Sequence, residues 1–440
     1  MESYIHLYET NDKFTAAYNG PDYKEPWLSL TEENMKVNYN KPKLTAIAFD
    51  NITWVTDVPA TGGTATKDNC TFKVNGIYED GTSVDISSDA TVTGELVVPS
   101  STATTRQSVG TLTLTAKYKG VTCTGSVVAY QKKAVDLKEP LTFKISSPGT
   151  INWTAIKDSP KTIEYKLNNG EWILIKSTSA SAIVVNADDK IQFRGNNATY
   201  SNGSYYTSTF SGSTAGFDIE GNIMSLINSR DFATLTTLQR NNTFCELFEG
   251  CTGLTSAENL ILPATTLTEG CYKDMFLGCS SLTTAPALPA KTLAYNCYYE
   301  MFKDCIKLTT APELPATTLA DYCYNNMFKG CSSLTTAPSI LPANTLVESC
   351  YSGMFNGCRS LTTAPVLPAT TLASYCYNSM FWNCRSLNYI KCLATNIPSS
   401  STGGWVSGVA SKGTFVKNPS MSGWATGSDG IPSGWTVQNA

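Results

Sequence analysis

The C-terminal part of the chain repeats one pattern of apolar and polar positions. From about Leu262 the unit L-P-A-T-T-L-x-x-x-C-Y-x-x-M-F-x-G-C-x-S-L-T-T-A-P recurs. Its first cysteines are 26, 26, 27 and 26 residues apart: Cys271, Cys297, Cys323, Cys350 and Cys376. Within the unit, Ser-Leu-Thr-Thr-Ala predicts a short strand and Cys-Tyr-x-x-Met-Phe predicts a helical turn. A fixed period of this kind indicates units that bury their apolar faces by stacking on one another.

A period of 26 residues lies in the range of leucine-rich solenoids. We therefore expect a solenoid of about five units over residues 262–392. Residues 221–261 hold a degenerate unit around Phe244 and Phe248, and they predict an N-terminal cap. Residues 393–440 lose the period and become rich in Gly, Ser and Trp, which predicts a C-terminal cap.

The first 236 residues follow a different pattern, in which short alternating apolar runs are broken by Gly, Asn, Asp and Ser. This pattern is typical of strands and hairpins. A polar stretch near Lys132 separates two predicted β modules, residues 44–134 and 135–220, and residues 1–43 form a separate head. The predicted fold class is mainly β, with N-terminal β-sandwich modules followed by the leucine-rich-repeat solenoid.

Composition narrows the range of functions. The formal net charge is -4 and only 15% of residues are charged, which argues against nucleic-acid binding. No apolar run approaches the roughly 18 residues of a membrane span, so we expect no membrane insertion. The first residues show no secretion leader, and we expect either a removed leader or release by another route, such as phage lysis.

Catalytic chemistry has few candidate groups. The single histidine, His6, lies in the head, so a catalytic triad or a histidine-rich zinc site is not expected. No spacing marks a pair of catalytic carboxylates or a phosphate-binding loop. We predict no enzyme, no cofactor and no metal. A hydrolase with its site in residues 135–236 is the remaining enzymatic alternative.

Thirteen of the 15 cysteines lie at or beyond residue 245. Disulfides and zinc are two interpretations, but the constant offset of eight residues within a unit suits neither well. The third interpretation is a column of reduced, buried thiols, because identical residues of stacked units lie about 4.8 Å apart. Cys70 and Cys123 lie in two candidate strands of the first β module and can pair across it.

Two sets of aromatic residues follow from the repeats. A tyrosine follows the first cysteine of every unit, and this constancy favours a structural stack over a ligand platform. Positions that vary between units, while the recurring core residues stay constant, are better candidates for binding. Aromatic residues at such positions suit both sugar faces and protein hot spots. The candidate binding residues are Tyr295, Tyr299, Tyr322, Tyr375 and Trp382. Ordinary surface variation is the alternative interpretation of the same five.

These motifs resemble a known family. The repeats, such as Leu314-Pro-Ala-Thr-Thr-Leu-Ala-Asp-Tyr-Cys-Tyr, and the closing Gly413-Thr-Phe-Val-Lys-Asn-Pro resemble BspA-like leucine-rich repeat proteins of Bacteroidetes and of their phages. Residues 44–131 resemble a bacterial Ig-like domain of group two, and residues 141–236 resemble the β module that often precedes such repeats. The opening Leu7-Tyr-Glu-Thr-Asn-Asp-Lys-Phe is similar to N-terminal heads on structural proteins of Bacteroidetes phages, including crAss-like phages.

The resemblance implies adhesion and not catalysis. The first hypothesis is a virion protein of fibre or decoration type. In this hypothesis the head docks on other virion proteins, and the repeats contact a glycan or protein of the host-cell surface. The second hypothesis is a bacterial cell-surface adhesin of the BspA type. The oligomeric state stays open, and a homotrimer is one option.

Overall fold

The computed structural model describes residues 5–10, 13–18, 43–54, 57–58, 62–99, 107–131, 136–156, 161–175, 181–202, 207–398, 400–421 and 423–440. Most of the predicted head, including residues 19–42, lies outside the described residues. Internal contacts divide the chain into two units, Met1–Ala134 and Val135–Ala440. Regular structure in the described residues consists of β-strands and short 3₁₀ helices, which confirms the mainly β class.

The first unit contains ten described strands. They are β1 (Ile5–Thr10), β2 (Lys13–Tyr18), β3 (Leu44–Trp54), β4 (Gly63–Thr66), β5 (Cys70–Tyr78), β6 (Ser83–Asp85), β7 (Thr91–Thr93), β8 (Glu95–Val98), β9 (Gln107–Tyr118) and β10 (Val121–Gln131). A 3₁₀ helix at Lys67–Asn69 joins β4 to β5. The strands pair antiparallel as β1-β2, β3-β5-β6, β10-β9-β7 and β4-β8.

Two of these sheets share one buried core. Ile47 and Val74 from β3-β5-β6 cluster with Leu112, Leu114 and Ala129 from β10-β9-β7. Strand β10 shows the cause, because its residues alternate between exposed polar side chains and more buried apolar ones over most of its length. The alternation that predicted strands therefore also decides which face of the sheet is covered.

The second unit begins with an extended β region. Its strands are β11 (Leu141–Ser147), β12 (Gly149–Trp153), β13 (Ile163–Leu167), β14 (Ile173–Ile175), β15 (Ser181–Val185), β16 (Lys190–Gly195), β17 (Gly216–Asn222) and β18 (Leu254–Ile261). A six-stranded sheet has the order β14-β13-β16-β11-β17-β18, and β12 pairs with β15. Two 3₁₀ helices, Ile223–Leu226 and Phe232–Thr234, follow β17.

Parallel pairing continues from this sheet into the repeats. Strand β17 pairs with β18 in parallel, and Ser256 of β18 forms a parallel bridge with Thr284 in the next repeat. Bridges of the same kind join threonines at two positions of the unit: Thr266 to Thr292, Thr292 to Thr318, Thr345 to Thr371, Thr284 to Thr310, and Thr310 to Thr336. The predicted strand in Ser-Leu-Thr-Thr-Ala is thus reduced to single bridges. The last strands, β19 (Tyr389–Cys392), β20 (Thr414–Lys417) and β21 (Thr436–Asn439), pair in parallel.

The predicted helical turn at Cys-Tyr-x-x-Met-Phe is wrong. Alternate residues donate their N–H groups to the next repeat: Tyr298 to the Cys323 carbonyl at 3.0 Å, and Phe302 to the Met327 carbonyl at 2.9 Å. The residues between them bond three residues back within their own unit. In addition, every fourth residue takes a positive φ, as at Glu300 (51°). An α-helix requires a negative φ at every residue, so this segment cannot be helical. The hydrogen bonds to the next repeat hold it instead as a series of linked turns.

One hydrophobic core runs through the whole second unit, from Leu141 to Trp435. Two columns of stacked rings mark it. One column has centroids 5.7 to 6.2 Å apart: Tyr200, Phe244, Tyr272, Tyr298, Tyr324, Tyr351, Tyr377 and Trp405. The other has centroids 5.4 to 5.7 Å apart: Phe210, Phe248, Phe276, Phe302, Phe328, Phe355 and Phe381. The repeat tyrosines in the first column are fully buried, which confirms the prediction that they form a structural stack.

The cysteine columns belong to this core. All 13 cysteines from Cys245 onward are buried, and every cysteine of the chain carries a free thiol, including Cys70 and Cys123. The second cysteine of each repeat has a specific contact, because its thiol donates to a phenylalanine carbonyl of the preceding repeat. Cys331 reaches the Phe302 carbonyl at 3.0 Å, and Cys384 reaches the Phe355 carbonyl at 2.9 Å. A small side chain with a weak donor suits this position between two stacked backbones.

Candidate binding surface

The five predicted binding residues all lie on the turn segments of the repeats. These segments run from two residues before the first cysteine to the second cysteine, and their invariant tyrosine, methionine and phenylalanine point into the core. Tyr295, Tyr375 and Trp382 are 45%, 48% and 44% exposed, while Tyr299 and Tyr322 are half-buried. Large exposed rings beside a buried frame are the strongest candidates for contact with a partner.

Two of the five touch each other across neighbouring repeats. The rings of Tyr295 and Tyr322 meet edge to face with centroids 5.8 Å apart. The Tyr322 hydroxyl donates to Oε1 of Glu348 in the following repeat at 2.9 Å. This hydrogen bond raises the pKa of Tyr322. The two rings therefore hold each other in a fixed orientation, and the carboxylate of Glu348 lies beside them.

Tyr299 has a different setting from the rest. The ammonium group of Lys273 lies 5.6 Å from its ring centroid, in cation–π geometry. Burial, with a smaller contribution from the neighbouring Glu300, raises the pKa of Tyr299 to about 12. Its ring is thus already engaged by a side chain of this protein.

Tyr375 and Trp382 form a second group. Both belong to the repeat of Cys376, and the repeat of Cys350 separates them from Tyr322. Tyr375 precedes the first cysteine and Trp382 lies two residues before the second, so they mark the two ends of one turn segment. The structure therefore divides the five residues into the Tyr295–Tyr322 pair, Tyr299 on Lys273, and the Tyr375–Trp382 repeat.

An ionic cluster on the same turn segments was not predicted from the sequence. Asp274 is 92% buried by neighbouring repeats, with 8% of its surface exposed, and its Oδ2 lies 3.6 Å from Nζ of Lys273. Burial raises the pKa of Asp274 to about 7; Lys273 opposes this, and Glu300 and Glu246 add to it. Lys303 binds Oε2 of Glu300 at 2.8 Å. Aligning the repeats by their cysteines places Glu246, Asp274 and Glu300 at the same position of successive units. This shared acidic position is the feature of the sequence from which the cluster could have been predicted.

A shallow depression between the repeats of Cys350 and Cys376 is also new. Its lining is neutral: Asn344, Thr345, Leu346, Thr370, Thr371, Leu372 and Ala373. Threonine and asparagine side chains there offer donors and acceptors without charge. Such a surface suits hydroxyl-rich ligands better than ionic ones.

In the described part of the chain, no group of three or more His, Cys, Asp or Glu side chains is placed to hold a metal ion. Burial raises the pKa of Cys279 and Cys384 to about 12, so these thiols are protonated at neutral pH and are poor nucleophiles. No helix among the described residues is long and apolar enough to cross a membrane.

Comparisons with known proteins add no assignment. Models of known protein families, curated proteins and solved structures give no match to this chain.

Proposed function

We propose that this chain is a non-enzymatic virion protein of a phage, of fibre or decoration type, which binds a glycan or protein of the host-cell surface. In this proposal residues 44–134 form an Ig-like β-sandwich and residues 135–220 a second β module. Residues 262–392 form a leucine-rich-repeat solenoid, capped by residues 221–261 and 393–440. The head docks on other virion proteins, and the repeats carry the binding surface.

Contacts in both units support this architecture. In the first unit, apolar residues of two antiparallel sheets share a core, as in a sandwich. In the second unit, equivalent residues of successive repeats are joined by parallel bridges and ring stacking at a nearly constant spacing. Each repeat thus covers the apolar face of the next, which is the principle of a solenoid.

The observation that carries the functional proposal is the exposure of Tyr295, Tyr375 and Trp382 at positions where most other repeats carry no aromatic ring. The equivalents of Tyr295 are acidic or serine. Those of Tyr375 are Gly270, Asn296, Tyr322 and Ser349, and those of Trp382 are Leu277, Lys303, Lys329 and Asn356. Core packing does not require a ring at these positions, because at each of them at least three other repeats pack without one. A contact outside the chain explains the rings.

Low charge and neutral polar side chains favour a ligand recognised by stacking and hydrogen bonding. Only 15% of residues are charged, and the depression near Thr345 and Thr371 has neutral lining. Aromatic faces bind the apolar faces of sugar rings, and neutral side chains bind the hydroxyls. A host glycan is therefore the first ligand class, and a surface protein is the second.

Exchanging residues between repeats provides the test. Tyr375→Ser and Trp382→Asn, combined in one chain, install residues that equivalent positions already carry, so the fold is preserved. We expect fluorescently labelled wild-type chain to bind intact host cells and the double variant to lose about tenfold or more in affinity, as expected for two aromatic hot spots. Asn378→Ser, whose equivalent position holds Ser352, is the matched control. Wild-type binding by the double variant refutes this surface.

The repeats also support a second candidate, a bacterial cell-surface adhesin of the BspA type, because they resemble those of such proteins. Immunogold electron microscopy of a producing culture separates the two, using antibody raised against residues 44–236. Gold on released particles supports the virion protein. Gold on cell envelopes alone supports the adhesin and contradicts the virion assignment.

A further inference from the structure

A basic depression lies on the six-stranded sheet of the second unit, apart from the repeat surface. Its lining comes from strands β13 and β16, from the residue before β14, and from two segments flanking β11 and β17: Lys138, Pro140, Lys166, Trp172, Gln192, Arg194, Ser229 and Phe232. The strand register makes Lys166 the partner of Gln192, and Glu164 the partner of Arg194. Because side chains two residues apart share a face, cross-strand pairing brings these groups together on one face of the sheet.

Charge is distributed unevenly in this depression. Three lining residues are cationic and none is acidic, although the chain as a whole has a net charge of -4. Neither Lys138 nor Lys166 forms an ion pair with any described residue. Arg194 has one carboxylate neighbour, since its Nε donates to Oε2 of Glu164 at 2.7 Å. Placing three cations around one hollow with a single carboxylate partner is unfavourable unless an anion joins them.

The Trp172 ring holds two of the three cations, Lys166 and Arg194, in place. The guanidinium of Arg194 lies 4.1 Å from the ring centroid of Trp172, and Nζ of Lys166 lies 5.3 Å from the same centroid. Gln192 is buried, with 7% of its surface exposed, and its Nε2 donates to Oε1 of Glu139 at 2.9 Å. Lys190 binds the same carboxylate at 2.7 Å, so Glu139 is already neutralised and does not compete for the lining cations.

The ring of Trp172 therefore holds the cationic groups of Lys166 and Arg194 at the depression. The hydrogen bond to Glu139 fixes the Gln192 amide in the same lining. Positively charged donors held in advance bind an oxyanion with less loss of side-chain freedom than mobile surface lysines do. The Ser229 side chain adds a neutral hydroxyl to the lining. Stacked indole, hydroxyl and amide groups beside cations are suited to a charged sugar.

We propose that this depression binds the oxyanion of an acidic glycan, a carboxylate or a sulfate group, with Lys138, Lys166 and Arg194 as the charged donors. This site lies in the β region and uses none of the repeat aromatics. It is independent of the proposed function, and its failure leaves the binding proposal for Tyr375 and Trp382 unchanged.

Calorimetric titration of the full chain tests the site with three probes. The first is oligogalacturonate, the second is the same oligomer with its carboxylates methyl-esterified, and the third is sodium sulfate. We expect oligogalacturonate to bind and its ester to bind about tenfold more weakly or not at all, because each lost charge-assisted hydrogen bond costs at least that factor. Sulfate that competes with the oligomer identifies the oxyanion itself as the recognised group. Sulfate that does not compete shows that the sugar is also required.

A charge-matched pair of variants locates the binding. Lys138→Gln with Lys166→Gln should weaken oligogalacturonate by about tenfold or more. Lys291→Gln with Lys307→Gln removes the same charge from exposed positions on the repeats and should leave the affinity unchanged. Equal binding of acid and ester, absence of binding by both oligogalacturonate and sulfate, or equal loss in the two double variants overturns the proposal. Circular dichroism of each variant verifies that the fold is intact.

Discussion

Replacing Asp274 with asparagine should stabilise the protein at alkaline pH. Its carboxylate is buried between repeats, and its Oδ1 has no hydrogen-bond partner among the described residues. Lys273 lies 3.6 Å away, but Glu246 and Glu300 also act on the same group. A buried carboxylate with more acidic than basic neighbours is costly to ionise, whereas an amide at this position carries no charge.

The size of the effect follows from the pKa of Asp274, which rises from 3.8 in a free side chain to about 7 in the fold. An acid whose pKa is raised on folding binds its proton more tightly in the folded state. Its stabilising contribution is therefore complete below about pH 4, declines as the pH rises from about 4 to 7, and is absent above that range. A difference of about three pH units corresponds to at most about 4 kcal/mol.

Urea unfolding of the full chain at pH 5 and pH 8 measures this effect. The wild-type protein should lose stability between the two values, and Asp274→Asn should lose about 2 to 3 kcal/mol less, because about two of the three pH units lie between pH 5 and pH 7. Glu258→Gln is the control, because Glu258 is an exposed carboxylate on β18 in the same unit. Wild-type pH dependence of the Asp274→Asn variant, or lower stability than wild type at pH 8, would contradict this prediction.

Four further predictions concern the buried stack. Tyr351→Phe should stabilise the protein by about 1 kcal/mol, because the Tyr351 hydroxyl is buried without a partner among the described residues. Tyr200→Phe should destabilise it by about 1 to 2 kcal/mol, because that hydroxyl donates to the Leu226 carbonyl at 2.6 Å; urea unfolding measures both. By the same assay, Cys331→Ala should cost about 1 to 2 kcal/mol through lost burial and the lost thiol contact with Phe302. Thiol titration of the denatured, unreduced protein should find most of the 15 cysteines free.

Each of these has an outcome that contradicts it. Equal destabilisation by the two tyrosine variants would show that hydrogen bonding does not separate them. Wild-type stability of Cys331→Ala would show that the thiol contact contributes nothing. Mostly oxidised cysteines would contradict the buried thiol columns.

The sequence predicted the stacked core of the repeats well, because one residue type recurs at each buried position. Tyr298 and Tyr324 stack as the period requires, and Cys305 and Cys331 are buried free thiols. It failed on the turn segment, where Cys-Tyr-x-x-Met-Phe has apolar spacing that also suits a helix. Spacing records which side chains are buried but not where N–H groups donate, so it missed the bonds between repeats.

The candidate site was predictable only in part. Variation between repeats identified Tyr295, Tyr375 and Trp382, and these are exposed. It did not reveal that Tyr299 is engaged by Lys273, although both hold the same position in neighbouring repeats, because spacing does not show which exposed side chains meet. The basic depression could not be predicted from the sequence. Its residues are distant along the chain and are brought together by the register between strands, which no sequence spacing records.

The backbone conformation of the exposed Tyr375 gives an independent reason to assign this residue a role outside the fold. Tyr322 and Tyr375 have φ of 58° and 54°, as do their equivalents Asn296 and Ser349 at 53° and 52°. This left-handed region suits glycine and asparagine, and a bulky residue there costs about 1 kcal/mol or more. Asparagine and serine at equivalent positions show that stacking imposes this conformation and tolerates small side chains. The Tyr322 ring meets Tyr295 and its hydroxyl donates to Glu348, so contacts within the chain account for it. Tyr375 has no such side-chain contact among the described residues, and a partner outside the chain best explains a ring kept there in spite of its cost.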